Sequence, residues 1–181
     1  MQVKEATEGN EAVPFLFFMD NQMAQQQIES IVLDMLSSEP DYFLVEARIK
    51  PTNNVKIFLD GDRGITIEKC VQFNRTLYKK IEEASFFPPG DFSLEVSSPG
   101  LDEPLKLHRQ YKKNIGRFIE VLLLDGAKKE GRLVDVAEDG IIVEEKAGKK
   151  SVHGKVVRDL GLINHTFLFN NIKSTKIQVV F

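Results

Sequence analysis

The amino-acid sequence predicts an α+β protein of two domains, an N-terminal α/β domain with helices on a small sheet and a C-terminal small β-barrel. Hydrophobic residues before Ser97 recur with helical or alternating spacing in the order α-β-β-α-β. Beyond Gly100, short alternating segments are separated by turn residues, as in small barrels. The chain has 181 residues, 42% of them hydrophobic, which is enough for one or two cores.

The first helix is predicted from Asn21 to Glu39, where Pro40 ends the pattern. Its apolar residues at helical spacing are Ile28, Ile31, Val32, Met35 and Leu36. Residues 1–22 show no clear periodicity, and the apolar stretch that begins at Val13 fits neither an amphipathic helix nor an alternating strand. We therefore expect residues 1–22 to form a disordered extension.

Residues 23–98 are expected to complete the N-terminal domain. Alternation from Phe43 to Ile49 and from Val55 to Leu59 predicts a hairpin. The turn Asp60-Gly-Asp-Arg-Gly64 then leads to a second helix with Thr66 as its N-cap. The expected core-facing stripe of that helix, with Cys70 beside it, is Ile67, Val71, Asn74, Leu77, Tyr78 and Ile81. A third strand contains Phe92, Leu94 and Val96.

We expect residues 99–114 to form an interdomain linker and residues 115–181 to form the barrel. The predicted strands are Ile115–Leu124, Gly131–Val136, Gly140–Glu145, Thr166–Phe169 and Ser174–Phe181. Residues 146–158 hold five basic residues and no acidic ones, with two glycines between them. This composition predicts a flexible basic loop that interrupts the barrel and extends to about His165.

Composition excludes several classes of protein. Cys70 is the only cysteine, so neither an intramolecular disulfide nor a cysteine-cluster zinc site can form, and a cytoplasmic location is expected. No apolar run is long enough to span a membrane.

The Asp60–Gly64 segment does not match a calcium-binding loop, because the fifth, sixth and twelfth positions counted from Asp60 are Gly64, Ile65 and Val71. A turn whose aspartates bond nearby backbone is the preferred interpretation.

Catalysis is the minority interpretation. Ser97 and Ser98 lack the Gly-x-Ser-x-Gly elbow of a serine hydrolase, and no phosphate-binding loop or dinucleotide fingerprint is present. Pro99 and Gly100 instead predict a structural corner. A hydrolase that uses Ser98 stays open only as a remote alternative, and no cofactor or metal is expected.

Charge differs between the two halves of the chain. Residues 1–100 carry nine basic and 16 acidic residues, whereas residues 101–181 carry 15 and 11. The basic half is a candidate to bind nucleic acid or an acidic partner, although a solvated surface explains the pattern about equally well. The candidate phosphate-binding residues are Lys106, Arg109, Lys112, Lys113, Arg117, Lys128, Lys129, Arg132, Lys149 and Lys150.

Several motifs resemble the ribosome maturation factor RimP family. They are Leu94-Glu-Val-Ser-Ser-Pro-Gly-Leu-Asp102, Glu103-Pro-Leu105, Gln110-Tyr-x-x-Asn-x-Gly116, the segment from Phe58 to Cys70, and the tail from Phe169 to Val180. The resemblance covers about residues 28–181. The motif residues that we single out are Asp60, Gly61, Asp62, Ser97, Ser98, Pro99, Gly100, Leu101, Asp102, Pro104, Asn114 and Gly116.

The resemblance implies an Sm-like or SH3-like barrel and a non-enzymatic role in assembling the small (30S) ribosomal subunit in the bacterial cytoplasm. It implies transient binding of the pre-subunit and aid in incorporating the small-subunit protein numbered twelve. We expect the cationic residues to hold the rRNA and the protein to act as a monomer. The alternative is an Sm-like RNA-binding module that acts outside the ribosome. Against it, the turn Ala137-Glu-Asp-Gly140 lacks the asparagine with which Sm proteins contact bases.

We predict a structural role for the Ser-Ser-Pro-Gly-Leu-Asp segment. We expect a rigid interdomain corner in which Leu101 is tucked between the domains. Asp102 would cap a helical turn that begins at Glu103-Pro104.

Overall fold

A computed structural model describes residues 12–146, 150–152, 155–157 and 161–179. The chain divides into two compact units. The first contains the chain up to Leu59 together with Ile65–Ser97, and the second contains Asp60–Gly64 together with the chain from Ser98 onward.

The first unit has the predicted order α-β-β-α-β. Its elements are α1 (Ala12–Leu36), β1 (Tyr42–Lys50), β2 (Asn54–Gly61), α2 (Ile67–Glu83) and β3 (Ser93–Ser97). The strands form one sheet in the order β1-β2-β3. β2 and β3 are parallel, with Val55 opposite Leu94 and Ile57 opposite Val96. A parallel pair needs a long crossover, which α2 supplies.

Helix α1 begins at Ala12, so the prediction of a disordered extension is wrong for residues 12–22. Residues 1–11 lie outside the described part of the chain. The run Val13–Met19 is apolar throughout, so it shows no helical alternation of apolar and polar residues. The helix could therefore not be recognised from periodicity in this segment. Pro14 is compatible with helix here because it falls in the first turn, where the backbone N–H has no helical partner.

The core of the first unit lies between the two helices and the sheet. Ile28, Val32 and Leu36 of α1 are buried as predicted, and so are Val55, Ile57 and Leu59 of β2. The predicted stripe of α2 was partly wrong. Phe73, Leu77 and Ile81 face the core, whereas Ile67 and Val71 are exposed. The N-cap prediction is confirmed, because Thr66 Oγ1 accepts a hydrogen bond from the Lys69 N–H at 3.2 Å.

The described residues of the second unit form one short α-helix, a 3-10 turn at Phe169–Asn171 and most of the strands. Its elements are α3 (His108–Lys113), β4 (Phe118–Leu123), β5 (Lys128–Val136), β6 (Gly140–Lys146), β7 (Lys150–Val152), β8 (Lys155–Val157), β9 (Leu162–Leu168) and β10 (Ile172–Ile177). Five strands form an antiparallel sheet in the order β10-β4-β5-β6-β9. Within the described residues the paired series ends at β9 and β10, so barrel closure stays a prediction.

Part of the predicted basic loop is regular structure. β7 and β8 pair with each other, and β9 begins at Leu162, so residues 162–165 are strand rather than loop. The β6–β9 ladder aligns Val143 with His165 and Glu145 with Ile163, which extends the sheet beyond the predicted strand. The weak alternation of the sequence between Leu162 and His165 concealed this strand.

The predicted linker is also structured. Residues 98–114 belong to the second unit, and Gln110, Tyr111 and Asn114 are buried. Tyr111 packs into the core formed by Ile119, Val121, Leu133, Val136, Ile141, Val143 and Ile177. The segment therefore forms part of a folded core.

In the described part of the chain, no helix is long and apolar enough to cross a membrane.

Candidate functional site

The candidate site of the second unit is organised around α3. The N–H of Leu105 donates to the Thr175 carbonyl at 2.8 Å, which ties the segment before α3 to strand β10. The buried side chain of Gln110 then accepts hydrogen bonds from the N–H groups of Lys106 at 2.8 Å and Leu107 at 3.1 Å. These two N–H groups precede the helix and would otherwise lack partners. Gln110 thus fixes the start of α3.

Two residues of the quoted motifs fix the end of α3. Asn114 is buried, and its amide donates to the Gln110 carbonyl at 2.8 Å while its oxygen accepts from Arg117 Nη1 at 3.1 Å. Gly116 has φ = +90° and donates its N–H to the Leu133 carbonyl at 2.7 Å. A left-handed φ is strained for other residues. Asn114 and Gly116 therefore hold the turn between α3 and β4.

The Asp60–Gly64 loop forms the strand-to-helix turn that the sequence predicts. Gly64 has φ = +88° and donates its N–H to the Gly61 carbonyl at 2.8 Å. Asp60 is buried, and its Oδ1 accepts from the Gly61 N–H at 2.8 Å. Backbone bonding by the aspartates is therefore confirmed for Asp60.

Asp62 has a different partner. Its two carboxylate oxygens each accept from the guanidinium of Arg109, at 2.6 Å from Nε and 2.6 Å from Nη2. This charge-assisted bond lowers the pKa of the Asp62 carboxyl, and the charges of Arg109, Lys113 and Arg63 act in the same direction. Beside it, Lys113 Nζ forms an ion pair with the buried Asp60. Two cations of α3 thus meet two carboxylates of the Asp60–Gly64 loop, and we call this group the α3 charge cluster.

In the α3 charge cluster, two of the predicted phosphate-binding residues, Arg109 and Lys113, have partners within the chain. Both were candidates to bind phosphate, yet each already has a carboxylate partner in the second unit. A phosphate at either cation would compete with that carboxylate for the same positive charge. Sequence reasoning missed this pairing because about 50 residues separate the partners along the chain.

The cations of the β4–β5 hairpin are also partly engaged. Lys128 Nζ lies 3.2 Å from Glu120 Oε1, and the Arg132 guanidinium lies over the Phe118 ring, 5.5 Å from its centroid. In the ladder, Glu120 stands opposite Glu130, and Arg132 opposite Glu144. This surface therefore has mixed charge, whereas the sequence predicted a basic one.

For the other predicted cations, the structure gives the exposure or the position in a strand but few contacts. Lys112 is exposed on α3 and Lys129 is half-buried on β5, and the described residues provide no carboxylate partner for either. Lys106 is exposed just before α3. Lys150 lies in β7, where only its backbone is described, and Lys149 lies outside the described residues.

The Ser97–Asp102 segment forms a turn but does not provide the expected helix cap. Gly100 has φ = +79°, which fits the predicted Pro-Gly corner. Leu101 is 44% exposed, and its packing between the domains stays a prediction. Asp102 caps no helix, because α3 begins only at His108. Pro104 directly precedes Leu105, whose N–H donates to the Thr175 carbonyl.

Comparison with known proteins places the chain in a family. A family model described as the RimP N-terminal domain matches residues 32–102. A ribosome maturation factor RimP of Cytophaga hutchinsonii is 36% identical over 166 residues, covering 88% of this chain and 99% of the relative. The chain belongs to the RimP family.

Other RimP proteins show shorter matches. Ribosome maturation factor RimP of Christiangramia forsetii is 33% identical and covers 74% of this chain and 84% of the relative. The protein of the same name from Porphyromonas gingivalis is 38% identical and covers 66% of this chain and 76% of the relative. The RimP N-terminal model spans most of the first unit and ends at Asp102, beyond the Ser-Ser-Pro-Gly corner.

Proposed function

We propose that this protein is a ribosome maturation factor that binds a precursor of the small (30S) subunit transiently and leaves before translation. The proposal is carried by 36% identity over 99% of a relative that bears the name ribosome maturation factor RimP. The proposed partners are rRNA and the small-subunit protein numbered twelve, bound by a cytoplasmic monomer.

The proposed role is non-catalytic and requires no cofactor. The role instead depends on surface complementarity, which needs positioned cations and exposed strands rather than an activated nucleophile.

Phosphate contacts are assigned first to the cations outside the α3 charge cluster. Lys112 and Lys129 can approach a phosphate without losing a carboxylate partner among the described residues. Arg109 and Lys113 position α3 and the Asp60–Gly64 loop, so their replacement is expected to act on stability as well as on binding. Lys128 and Arg132 are secondary candidates, because Glu120 and Glu144 lie beside them.

Sedimentation tests the proposal. Tagged protein in a lysate is separated on a sucrose gradient at low and high salt, and each fraction is blotted. We expect salt-sensitive migration with free small subunits and absence from translating ribosomes. Migration only as free protein at both salt concentrations contradicts the proposal, while tight binding to free RNA alone would favour the RNA-binding module.

A pair of variants tests the assigned cations. Lys112→Glu with Lys129→Glu should weaken binding to purified small subunits and lower the slope of log K against log salt by about two, roughly one per phosphate contact. Lys50→Glu with Lys79→Glu, two exposed positions of the first unit, makes the same change of charge and serves as the control, which should leave the slope unchanged. Equal slopes for the double variant and the wild type would remove these residues from the interface.

A further inference from the structure

The second unit contains a cavity of about 390 Å³ beside α3. It is bordered by the start of α3, the turn between β5 and β6, and the connection from β9 to β10. Its size falls within the ~300–1,000 Å³ typical of small-molecule sites.

Hydrogen bonds between the bordering elements hold the cavity in shape. His108 Nε2 lies 2.8 Å from the Ala137 carbonyl, so it carries a proton and joins α3 to the β5–β6 turn. The Phe169 N–H donates to the Asp139 carbonyl at 2.9 Å, which joins the β9–β10 connection to the same turn. The site is therefore preorganised, and a ligand need not order its walls.

Aromatic side chains form the apolar part of the cavity. Phe169 lies 5.2 Å from the Tyr111 ring and 6.0 Å from the His108 ring, measured between centroids, with interplanar angles of 65° and 73°. Both angles are steep, so among the described residues no ring is stacked parallel to Phe169. A flat ligand ring can take that position.

Charged side chains complete the cavity. Lys106 comes from the segment before α3, Lys173 from β10, and Glu138 from the β5–β6 turn. Two lysines among the residues that line a partly aromatic cavity suit a ligand that joins a phosphate to a flat ring. The carboxylate of Glu138 accepts hydrogen bonds, so it favours a base with an amino group, such as cytosine.

We propose that this cavity binds one nucleotide unit of single-stranded RNA, with the base against Phe169 and the phosphate between Lys106 and Lys173. A free nucleotide offers the same chemistry, whereas a base stacked within a duplex cannot enter the cavity. The assignment to RNA rests on the proposed function, because a subunit precursor would supply unpaired rRNA.

Binding of labelled RNA to the full chain tests the proposal. A fluorescein-labelled oligo(C) of eight nucleotides is titrated by anisotropy at about 50 mM salt, where phosphate contacts are strong. Lys173→Glu and Phe169→Leu are each expected to weaken binding at least fivefold. Lys176→Glu makes the same charge change on the same strand outside the cavity, and should change binding less than twofold.

Competition and duplex-binding experiments identify the ligand of the cavity. Cytidine monophosphate should compete with the oligonucleotide at higher concentration, and a duplex of equal length should bind more weakly, without sensitivity to Lys173→Glu. Lys173 is exposed, so its replacement tests the site even if Phe169→Leu fails to fold. No binding of oligo(C), equal effects of Lys173→Glu and Lys176→Glu, or competition by an acidic peptide but not by the nucleotide would each overturn the proposal.

The sedimentation experiment separates this inference from the proposed function. If the protein migrates with small subunits while Lys173→Glu leaves the affinity for oligo(C) unchanged, only the proposed nucleotide site is wrong. If Lys173→Glu weakens oligo(C) binding but the protein does not migrate with small subunits, the proposed function is wrong and the nucleotide site is supported.

Discussion

The carboxylate of Asp62 and the guanidinium of Arg109 form a two-point ion pair, with both nitrogen–oxygen distances at 2.6 Å. Such fork-to-fork geometry is directional and stronger than a single contact. Lys113 and the buried Asp60 form a second pair beside it. The α3 charge cluster therefore pairs two cations that the sequence presents as binding residues with two carboxylates of the same unit.

Replacing Asp60 should destabilise the second unit. Asp60→Asn keeps an acceptor for the Gly61 N–H but leaves Lys113, whose side chain is only 18% exposed, without its carboxylate. We expect a loss of about 2–4 kcal/mol in the free energy of unfolding, because an uncompensated, partly buried charge is costly. Urea denaturation measures this loss.

A double-mutant cycle with Lys113→Met provides the control for Asp60→Asn. The double variant should lose less stability than the sum of the two single variants, because it removes both charges together. Strict additivity would show that the two residues do not interact.

Asp62 should make stability depend on pH in the acidic range. Its pKa is lowered below the ordinary value of 3.8 by the Arg109 bond, so the folded protein holds this proton less tightly than the unfolded chain. The contribution is therefore complete above about pH 4–5 and is lost as the pH falls through the folded pKa. The stability gap between the wild type and Asp62→Asn should close below that point, measured by urea unfolding at several pH values.

Arg109→Gln is the matched variant for the pH effect, because it removes the donor and leaves the carboxylate. Its stability should fall less steeply with acid than that of the wild type. An acid profile identical to the wild-type profile would contradict the assigned pair.

Gln110 should contribute to stability through its acceptor oxygen. Gln110→Ala leaves the N–H groups of Lys106 and Leu107 without that partner, and we expect a loss of about 1–3 kcal/mol. Gln110→Glu restores an acceptor at the same position and should recover part of the loss in thermal or urea unfolding. If alanine and glutamate prove equally damaging, the capping role is wrong.

Gly131 should tolerate no side chain. A Cβ at this position would lie 2.5 Å from the Glu144 carbonyl oxygen and 2.6 Å from Val143 Cγ1. Gly131→Ala is therefore expected to cost about 1–3 kcal/mol through overpacking. Val134→Ala, on the same strand but exposed, should cost less than about 1 kcal/mol in the same unfolding assay. A stable Gly131→Ala variant would show that β5 and β6 separate easily.

Much of the fold could be predicted because local patterns determine it. Alternation in β2 places Val55, Ile57 and Leu59 on one buried face, and Thr66 caps α2 through a bond within one turn of helix. Where the pattern is uniform or weak, prediction failed. The apolar residues after Ala12 gave no helical period, and α2 turned Phe73 rather than Val71 toward the core.

The candidate site divides in the same way. The sequence by itself determined the family, the charge difference between the halves, and the turn at Asp60–Gly64, since each depends on residue identity and local spacing. Only the tertiary structure decided which cations are neutralised, which residues border the nucleotide-sized cavity, and that Leu101 is exposed. Ion pairs and cavities join residues distant along the chain, and their partners are fixed only when folding brings those residues together.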